Sequence, residues 1–242
     1  MGSADRRTEV NARVGQNMMY IIGAGRVGPV LGAALAGAGH AIVGIDATGE
    51  DAIERAEAVL PGVELLDVPT IVERAELVLL AVPTAELPGL VAGLAATGAW
   101  QPGQLVVHTA AEHGVAVLQP AVARGAIPIA LHPAMTFTGT SLDLSRLLDA
   151  TVAVTAPGPV LPIGQALAVE MGAEPIVVDE ADRPAYAEAV GVAAGFADGL
   201  VAQAMRQLHE IGVERPARVL GGVVRSAVES ALARYPDPPL HP

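Results

Sequence analysis

Three glycines spaced G-x-G-x-x-G stand where an apolar run ends and a helical one begins. MMYII (18–22) leads into Gly23, Ala24, Gly25, Arg26, Val27 and Gly28, and PVLGAALAG follows. No other feature limits the possible folds as strongly. The first glycine of such a loop permits a tight turn, the second lets the backbone approach a diphosphate, and the third lets helix pack closely on strand. The free N–H groups and dipole of the helix N-terminus favour an anion there. A second apolar run, HAIVGI (40–45), closes on Asp46. A carboxylate at that strand end hydrogen-bonds adenosine ribose hydroxyls and repels a 2′-phosphate. The first arginine beyond it is Arg55, on the next helical stretch. NAD is therefore the expected cofactor, with NADP less favoured. The six loop residues Gly23 to Gly28, Asp46, and Val82, Pro83 and Thr84 after the fourth strand are its expected contacts. A methyltransferase also uses a glycine-rich first loop. It usually carries an acidic residue just before the glycines and continues with strands, whereas here MMYII precedes Gly23 and the tail reads as helical.

Further apolar runs, ELVLLAV (76–82), QLVVH (104–108) and AIPIAL (126–131), alternate with stretches of helical length. Those stretches are Val27–Ala38, Glu50–Leu60, Ala85–Ala96 and Gly114–Arg124. Continuous apolar runs fit strands buried on both faces of a parallel sheet, and the alternation predicts an α/β, Rossmann-type doubly wound fold. TVAVTA (151–156) and EPIVV (174–178), flanking a helix near Ile163–Met171, are expected to extend the sheet. After Val178 the texture turns helical. One long helix is expected from an Asp182 N-cap, with Pro184 in its first turn and Gly212 as its stop. A second is expected from Pro216 to Tyr235, ended by the prolines of the tail. The chain thus divides into a flexible segment 1–17, a mainly parallel Rossmann domain 18–180, and a small all-α domain 181–242.

Composition narrows the chemistry. The 242 residues are 52% apolar, enough for a packed core without disorder. There is no cysteine, which removes thiol catalysis and zinc–thiolate sites. There is also no lysine: all 14 basic residues are arginine, so Schiff-base chemistry and a P-loop lysine are excluded. A net charge of −12 disfavours nucleic acid and anionic membrane surfaces as partners. The polar first 17 residues carry no apolar signal core, so a cytoplasmic chain is expected.

IIGAGRVG, LLAVP (79–83), VVHTAAEHG (106–114) and ALHPAMTFTG (130–139) occur in the order and spacing of a known family. The chain resembles short NAD(P)-binding proteins of 6-phosphogluconate-dehydrogenase-like architecture with a helical C-terminal domain. Prephenate dehydrogenases, pyrroline-5-carboxylate reductases and ketopantoate reductases look like more distant relatives. The resemblance implies an oxidoreductase that pairs through its helical domain, with the His132-Pro133 segment beside the substrate. The family pattern H-T-S-G-x-H-G is altered here, since Ala110 and Ala111 replace the serine and glycine. The family's Tyr-His and Asn-His pairs are altered too, to Tyr186-Ala187 and Asp198-Gly199.

Ligands of open α/β sheets bind outside the carboxyl ends of the strands, which makes His108 and His132 the first catalytic candidates. Without lysine, a histidine is the best-matched proton donor or acceptor near neutral pH. His132 is favoured. Gly191, Gly195 and Gly199 form a small-residue stripe on the long helix. Asp198 falls beside it and is expected to be buried or in the cleft, a third catalytic candidate, with Glu188 near that face. His113 and Glu112 fit no usual metal spacing, so no metal is expected. No G-x-S-x-G supports a serine hydrolase. Two functions remain: hydride transfer between a nicotinamide cofactor and a small carbonyl, imine or alcohol substrate, or non-catalytic dinucleotide sensing. A homodimer is expected, because a small helical domain buries little surface alone.

Overall fold

The structure is a computed structural model, and it describes residues 18–235. The expected flexible segment 1–17 and the tail after Tyr235 lie outside the described residues. One sheet contains β1 (Met18–Ile22), β2 (Ala41–Asp46), β3 (Glu64–Leu65), β4 (Leu77–Leu80), β5 (Leu105–His108), β6 (Ile127–Pro133), β7 (Thr151–Thr155) and β8 (Glu174–Val177). Their spatial order is β3-β2-β1-β4-β5-β6-β7-β8. Every neighbouring pair is parallel except β6 with β7. The strand order reverses between β1 and β4, which opens a crevice at the carboxyl ends. Register aligns those ends: Ile22 lies beside Asp46 and Leu80, Leu80 beside His108, and His108 beside Ala130.

The alternation of strand side chains sorts the core into two layers. Met19, Ile21, Leu77, Leu79, Val107, Ile129, Leu131, Val152 and Val154 face α1 (Gly28–Gly37) and α7 (Leu161–Glu170). Tyr20, Ile22, Val78, Leu80 and Val106 face α3 (Val68–Arg74), α4 (Leu87–Ala96) and α5 (Gln119–Val122). Both layers are mainly aliphatic, in helices and strands alike, so the doubly wound architecture follows from burial on two faces.

The turn from β1 into α1 is built on backbone contact. Gly23 has φ +104°, and a Cβ there would lie 2.6 Å from the Ala81 carbonyl oxygen. A Cβ on Gly28 would lie 2.2 Å from the Gly23 carbonyl oxygen. The fold itself therefore requires both glycines. Gly25 differs: a Cβ there meets nothing within 4 Å and its φ is not left-handed.

Several local expectations are corrected. The stretch Gly114–Arg124 is not one crossover helix but a 3-10 turn, Val115–Leu118, followed by the single-turn α5 with Pro120 in its first turn. The short β3, α3, α2 (Glu50–Val59) and α6 (Leu142–Leu147) complete the connections, of which only α2 was expected. Asp182 ends a 3-10 turn, Glu180–Asp182, and directly precedes α8 (Arg183–Glu210), the expected cap position with Pro184 in the first turn, but among the described residues its side chain accepts no helix N–H. Gly212, at φ +85°, does stop the helix, with Gly212 and Val213 N–H donating to the His209 and Leu208 carbonyls. α9 (Pro216–Arg234) follows.

The chain divides into two compact units, Met1–Glu188 and Ala189–Pro242. The division comes later than residue 180 because the first turn of α8 is tied into the sheet, as described below. In the second unit Asp198 is exposed rather than buried, and so is Glu188 at the end of the first. No atom lies within 4 Å of a Cβ built on Gly191, Gly195 or Gly199.

The glycine geometry gives a stability test. Gly28→Ala should lower unfolding free energy by about 2 kcal/mol or more, and Gly25→Ala should change it by less than about 0.5 kcal/mol. Urea unfolding of the two variants checks the contrast.

Candidate functional site

Beside the glycine loop lies a cavity of about 250 Å³ in the first unit. Arg26 and Val27 line it from the loop, Thr109 from the end of β5, and His132 and Pro133 from the end of β6. Met135, Thr136 and Phe137, in the segment after β6, close it. No carboxylate lines this cavity.

The segment after β6 is held by one buried acid. Asp143, in α6, accepts the N–H of Thr138 at 2.7 Å, the N–H of Gly139 at 2.8 Å and the Thr138 hydroxyl at 2.9 Å. It also receives Arg146 Nη1 at 3.2 Å. Gly139, at φ +79°, is so close to Arg26 and Arg55 that a Cβ would lie 2.9 Å from a side-chain carbon of each. Arg55, on α2, donates from Nη1 to the Ala24 carbonyl at 3.0 Å. The glycine loop is thereby clamped from outside while Gly25 stays open.

That openness is what a diphosphate needs. No acidic side chain occupies the first turn of α1 and no side chain caps it, so its N–H groups are free for an anion. Val82 adjoins Gly23, with its backbone nitrogen 3.2 Å from a Cβ built there. Pro83 is exposed and Thr84 partly so, at the start of the turn into α4. Asp46 ends β2, half-buried. Burial first, and then the nearby Asp67 carboxylate, raises its pKa above the ordinary 3.8. The residues present therefore fit a dinucleotide, from Asp46 across Gly25 to the cavity at His132.

The two candidate histidines part company. Val106 and His108 share a face of β5, and His108 is fully buried. Its Nε2 donates to the Gly114 carbonyl at 2.8 Å, and its Nδ1 accepts the Ala110 N–H at 3.2 Å. Both ring nitrogens are occupied by backbone, and burial lowers the pKa to about 4. His108 staples the turn after β5, which corrects the expectation of a catalytic role. The strand-end position placed it at the right edge but did not tell which way its nitrogens are engaged.

His132 is different. Its Nδ1 is 2.9 Å from the Tyr186 hydroxyl, and the two rings meet edge to face, with centroids 5.6 Å apart. Nε2 has no protein partner among the described residues and is not sealed from the cavity that His132 lines. With the phenol donating to Nδ1, the imidazole proton sits on Nε2. Burial, and then the positive charge of Arg183, lowers the pKa of His132 to about 4, so the ring is neutral at pH 7.

Tyr186 is a site residue that the sequence reading passed over, because only its departure from the family's Tyr-His pair was noted. The available signal was its position three residues after Arg183, on the same helix face. Arg183 is completely buried. Its Nε donates to Thr155 Oγ1 at 2.7 Å, and its Nη2 donates to the Ala130 and Ala153 carbonyls at 3.2 and 3.1 Å. Thr155 in turn donates to the Val178 carbonyl. Ala130 and Ala153 lack bulk, which makes room for a guanidinium on the sheet. Asp198 belongs to the second unit. Among the described residues no three metal-binding side chains converge.

Two comparisons bear on this arrangement. A family profile described as Rossmann-like domain matches residues 3–133, more than half of the chain. The chain belongs to the Rossmann-like domain family. A second profile, a domain of unknown function (DUF2520), matches residues 150–238 of this Rossmann-like chain. Together they agree with the resemblance to short Rossmann proteins with a helical C-terminal region. No curated protein sequence matches it. Among solved structures it is similar to a Bacteroides fragilis protein named as a candidate NADP oxidoreductase, at TM-score 0.73 and 17% identity, covering 89% of this chain and 80% of that one. It is similar to an imine reductase from Pseudomonas at TM-score 0.66 and 11% identity, covering 90% and 76%. It is also similar to a Plasmodium falciparum pyrroline carboxylate reductase with NADP bound, at TM-score 0.64 and 10% identity, covering 92% and 80%. At these identities the likeness shows the fold.

The buried neutral histidines make stability depend on pH. His108 and His132 stay unprotonated in the folded chain down to about pH 4, against an ordinary value of 6.5. Between those values the unfolded chain binds more protons, so stability is full above about pH 6.5 and is lost as pH falls toward about 4. Each histidine contributes at most about 3 kcal/mol to that loss. Urea midpoints measured across this range should fall steadily, and His108→Gln should flatten the slope.

Proposed function

We propose that the chain is a nicotinamide-dependent oxidoreductase that passes a hydride to or from a small carbonyl, imine or alcohol carbon. Gly25 carries the reading. Its two neighbours in the motif are glycine because the backbone needs them, but among the described residues no contact requires a glycine at position 25. A ligand that brings its diphosphate against that backbone supplies the reason. Membership of the Rossmann-like family supports this, as do the oxidoreductase names of the structural relatives.

The nicotinamide supplies the hydride acceptor or donor when bound. The chain's own residues do the rest. His132 presents Nε2–H to the cavity and hydrogen-bonds the substrate oxygen or nitrogen. Held neutral, it acts as a neutral donor rather than as an imidazolium. Tyr186 fixes the tautomer by donating to Nδ1, a second contact that orients the ring. The apolar Met135 and Phe137 limit water around the reacting atoms.

Gly25→Val should fold normally and weaken NADH binding on the order of 100-fold, by filling the diphosphate approach. Calorimetric titration measures this, together with turnover against a panel of keto acids, imines and aldehydes. Unchanged affinity in the folded variant would end the assignment. NADH binding without any turnover would favour a non-catalytic dinucleotide sensor.

NAD is the favoured form. Asp46 and the neighbouring Asp67 would face a 2′-phosphate with two carboxylates, whereas Arg55 is turned to the Ala24 carbonyl. NADH should bind more tightly than NADPH, and Asp46→Ser with Ala47→Arg should shift the preference toward NADPH. Affinities of both cofactors for both chains check this.

The second unit is assigned to a homodimer. Val192, Phe196 and Leu200 recur every four residues along α8 and are 54%, 67% and 59% exposed, with the open glycine stripe beside them. A two-fold interface covers one such patch with its own copy. Gly195→Leu should leave folding and NADH binding intact and shift the chain toward monomer in sedimentation. A wild-type chain that is monomeric at every concentration would exclude the dimer.

A further inference from the structure

Arg183 is an uncompensated buried charge. No carboxylate pairs with it among the ion pairs of the described residues, and its Nη1 is buried without a hydrogen-bond partner. Isolated buried charges cost several kcal/mol, and an arginine cannot escape that cost by losing its proton. Structural anchoring accounts for Nε and Nη2, which hold Thr155, Ala130 and Ala153. It leaves the charge without a carboxylate in contact and Nη1 without a partner among the described residues.

Besides the Glu180 carboxylate, the group that acts on the Arg183 charge is Tyr186. The guanidinium carbon lies 5.8 Å from the centroid of its ring. The other titratable groups around the pair are His108 on β5, His113 in the turn after it, His132 on β6 and Glu180 before α8. His108 is committed to backbone on both nitrogens. Glu180 is committed as well, since its carboxylate accepts the N–H groups of Val115 at 2.6 Å and Ala116 at 3.2 Å. His113 lies 3.5 Å from the Glu112 carboxylate. That leaves Tyr186 and His132, joined by a hydrogen bond, as the pair that can exchange a proton, with the cation beside them.

We propose that Arg183 is a positioning residue that serves as counter-charge to a Tyr186–His132 proton relay. This inference rests on the oxidoreductase reading. In the reducing direction the hydride reaches the substrate carbon from the reduced nicotinamide dinucleotide. The substrate oxygen or nitrogen takes the proton from His132 Nε2, while Nδ1 takes the proton of the Tyr186 hydroxyl. The imidazole is neutral before and after, and a phenolate remains beside the guanidinium. A solvent proton entering at Nε2 then restores the phenol. The relay explains how a histidine that is neutral at pH 7 can still deliver a proton. Burial raises the pKa of Tyr186 and Arg183 opposes that rise, in keeping with the assigned role.

The test is titration of the full chain without cofactor or substrate. His132 is followed by imidazole NMR. Tyr186 is followed by phenolate absorbance, after subtraction of the Tyr186→Phe chain. A unit charge about 6 Å away is worth about 1 pH unit or more in a partly buried site. Arg183→Gln should therefore raise both midpoints by about that much, and Arg183→Lys, which keeps the charge, should restore both. Unmoved midpoints in a folded Arg183→Gln chain, or a lysine variant that behaves like glutamine, would overturn the proposal. If Arg183→Gln does not fold, the wild-type chain decides. The Arg183 side-chain nitrogen resonance should shift with the Tyr186 midpoint and lose that shift in Tyr186→Phe; a resonance indifferent to Tyr186 overturns the role. Because these readouts need no catalysis, an absence of turnover beside shifted midpoints counts against the oxidoreductase reading alone.

Discussion

Backbone touching backbone at the junction of β1 and β4 is the constraint on which the site depends. Gly23 presses against Ala81, and Gly28 presses against Gly23, leaving no volume for a methyl group at either place. This packing brings the start of α1 over the carboxyl ends of the strands and aims its free N–H groups into the crevice. The loop's own residues cannot hold such a turn alone. Arg55 therefore binds Ala24 from α2, and the segment after β6 backs onto Arg26 and Arg55 through Gly139. The glycine loop and the segment after β6 share one wall.

Electrostatics gives that wall its character. A chain with net charge −12 gathers two guanidiniums around a cavity with no acidic lining, one at Arg26 and one buried behind His132. Burial keeps the histidines neutral and the arginine cannot be neutral, so the local field is positive whatever the pH near neutrality. In a low dielectric such a field acts strongly on any group that acquires negative charge during reaction. The lack of lysine matters here, because an arginine in this position never serves as a proton donor and contributes only its charge.

The sequence made the sheet legible because its strands are continuous aliphatic runs, buried on both faces and ended by glycine, proline or a polar residue. β3 left no such trace, since two exposed residues, Glu64 and Leu65, pair through backbone alone. The 3-10 turn at Val115 was hidden for a related reason. Its geometry is set by the distant Glu180 carboxylate, which no local pattern encodes. The glycine loop could be read residue by residue, since Gly23 and Gly28 answer local steric demands. The substrate side could not. His108 and His132 occupy similar strand-end positions, and only tertiary hydrogen bonds separate a backbone staple from a cavity-facing donor. Tyr186 and Arg183 lie some fifty residues from the strand that they complete, as the separations of 54 and 53 residues to His132 and Ala130 record.

Asp143 has a further consequence for how the molecule breathes. Loops normally open freely, because their amides face water and little is lost when they part. Thr138 and Gly139 lie in a loop, yet both amides donate to one carboxylate that is wholly buried. Their hydrogens are thus shielded as those of a strand are. They should exchange with solvent only when the whole sheet edge opens, making this loop part of the slow-exchanging heart of the protein rather than of its rim.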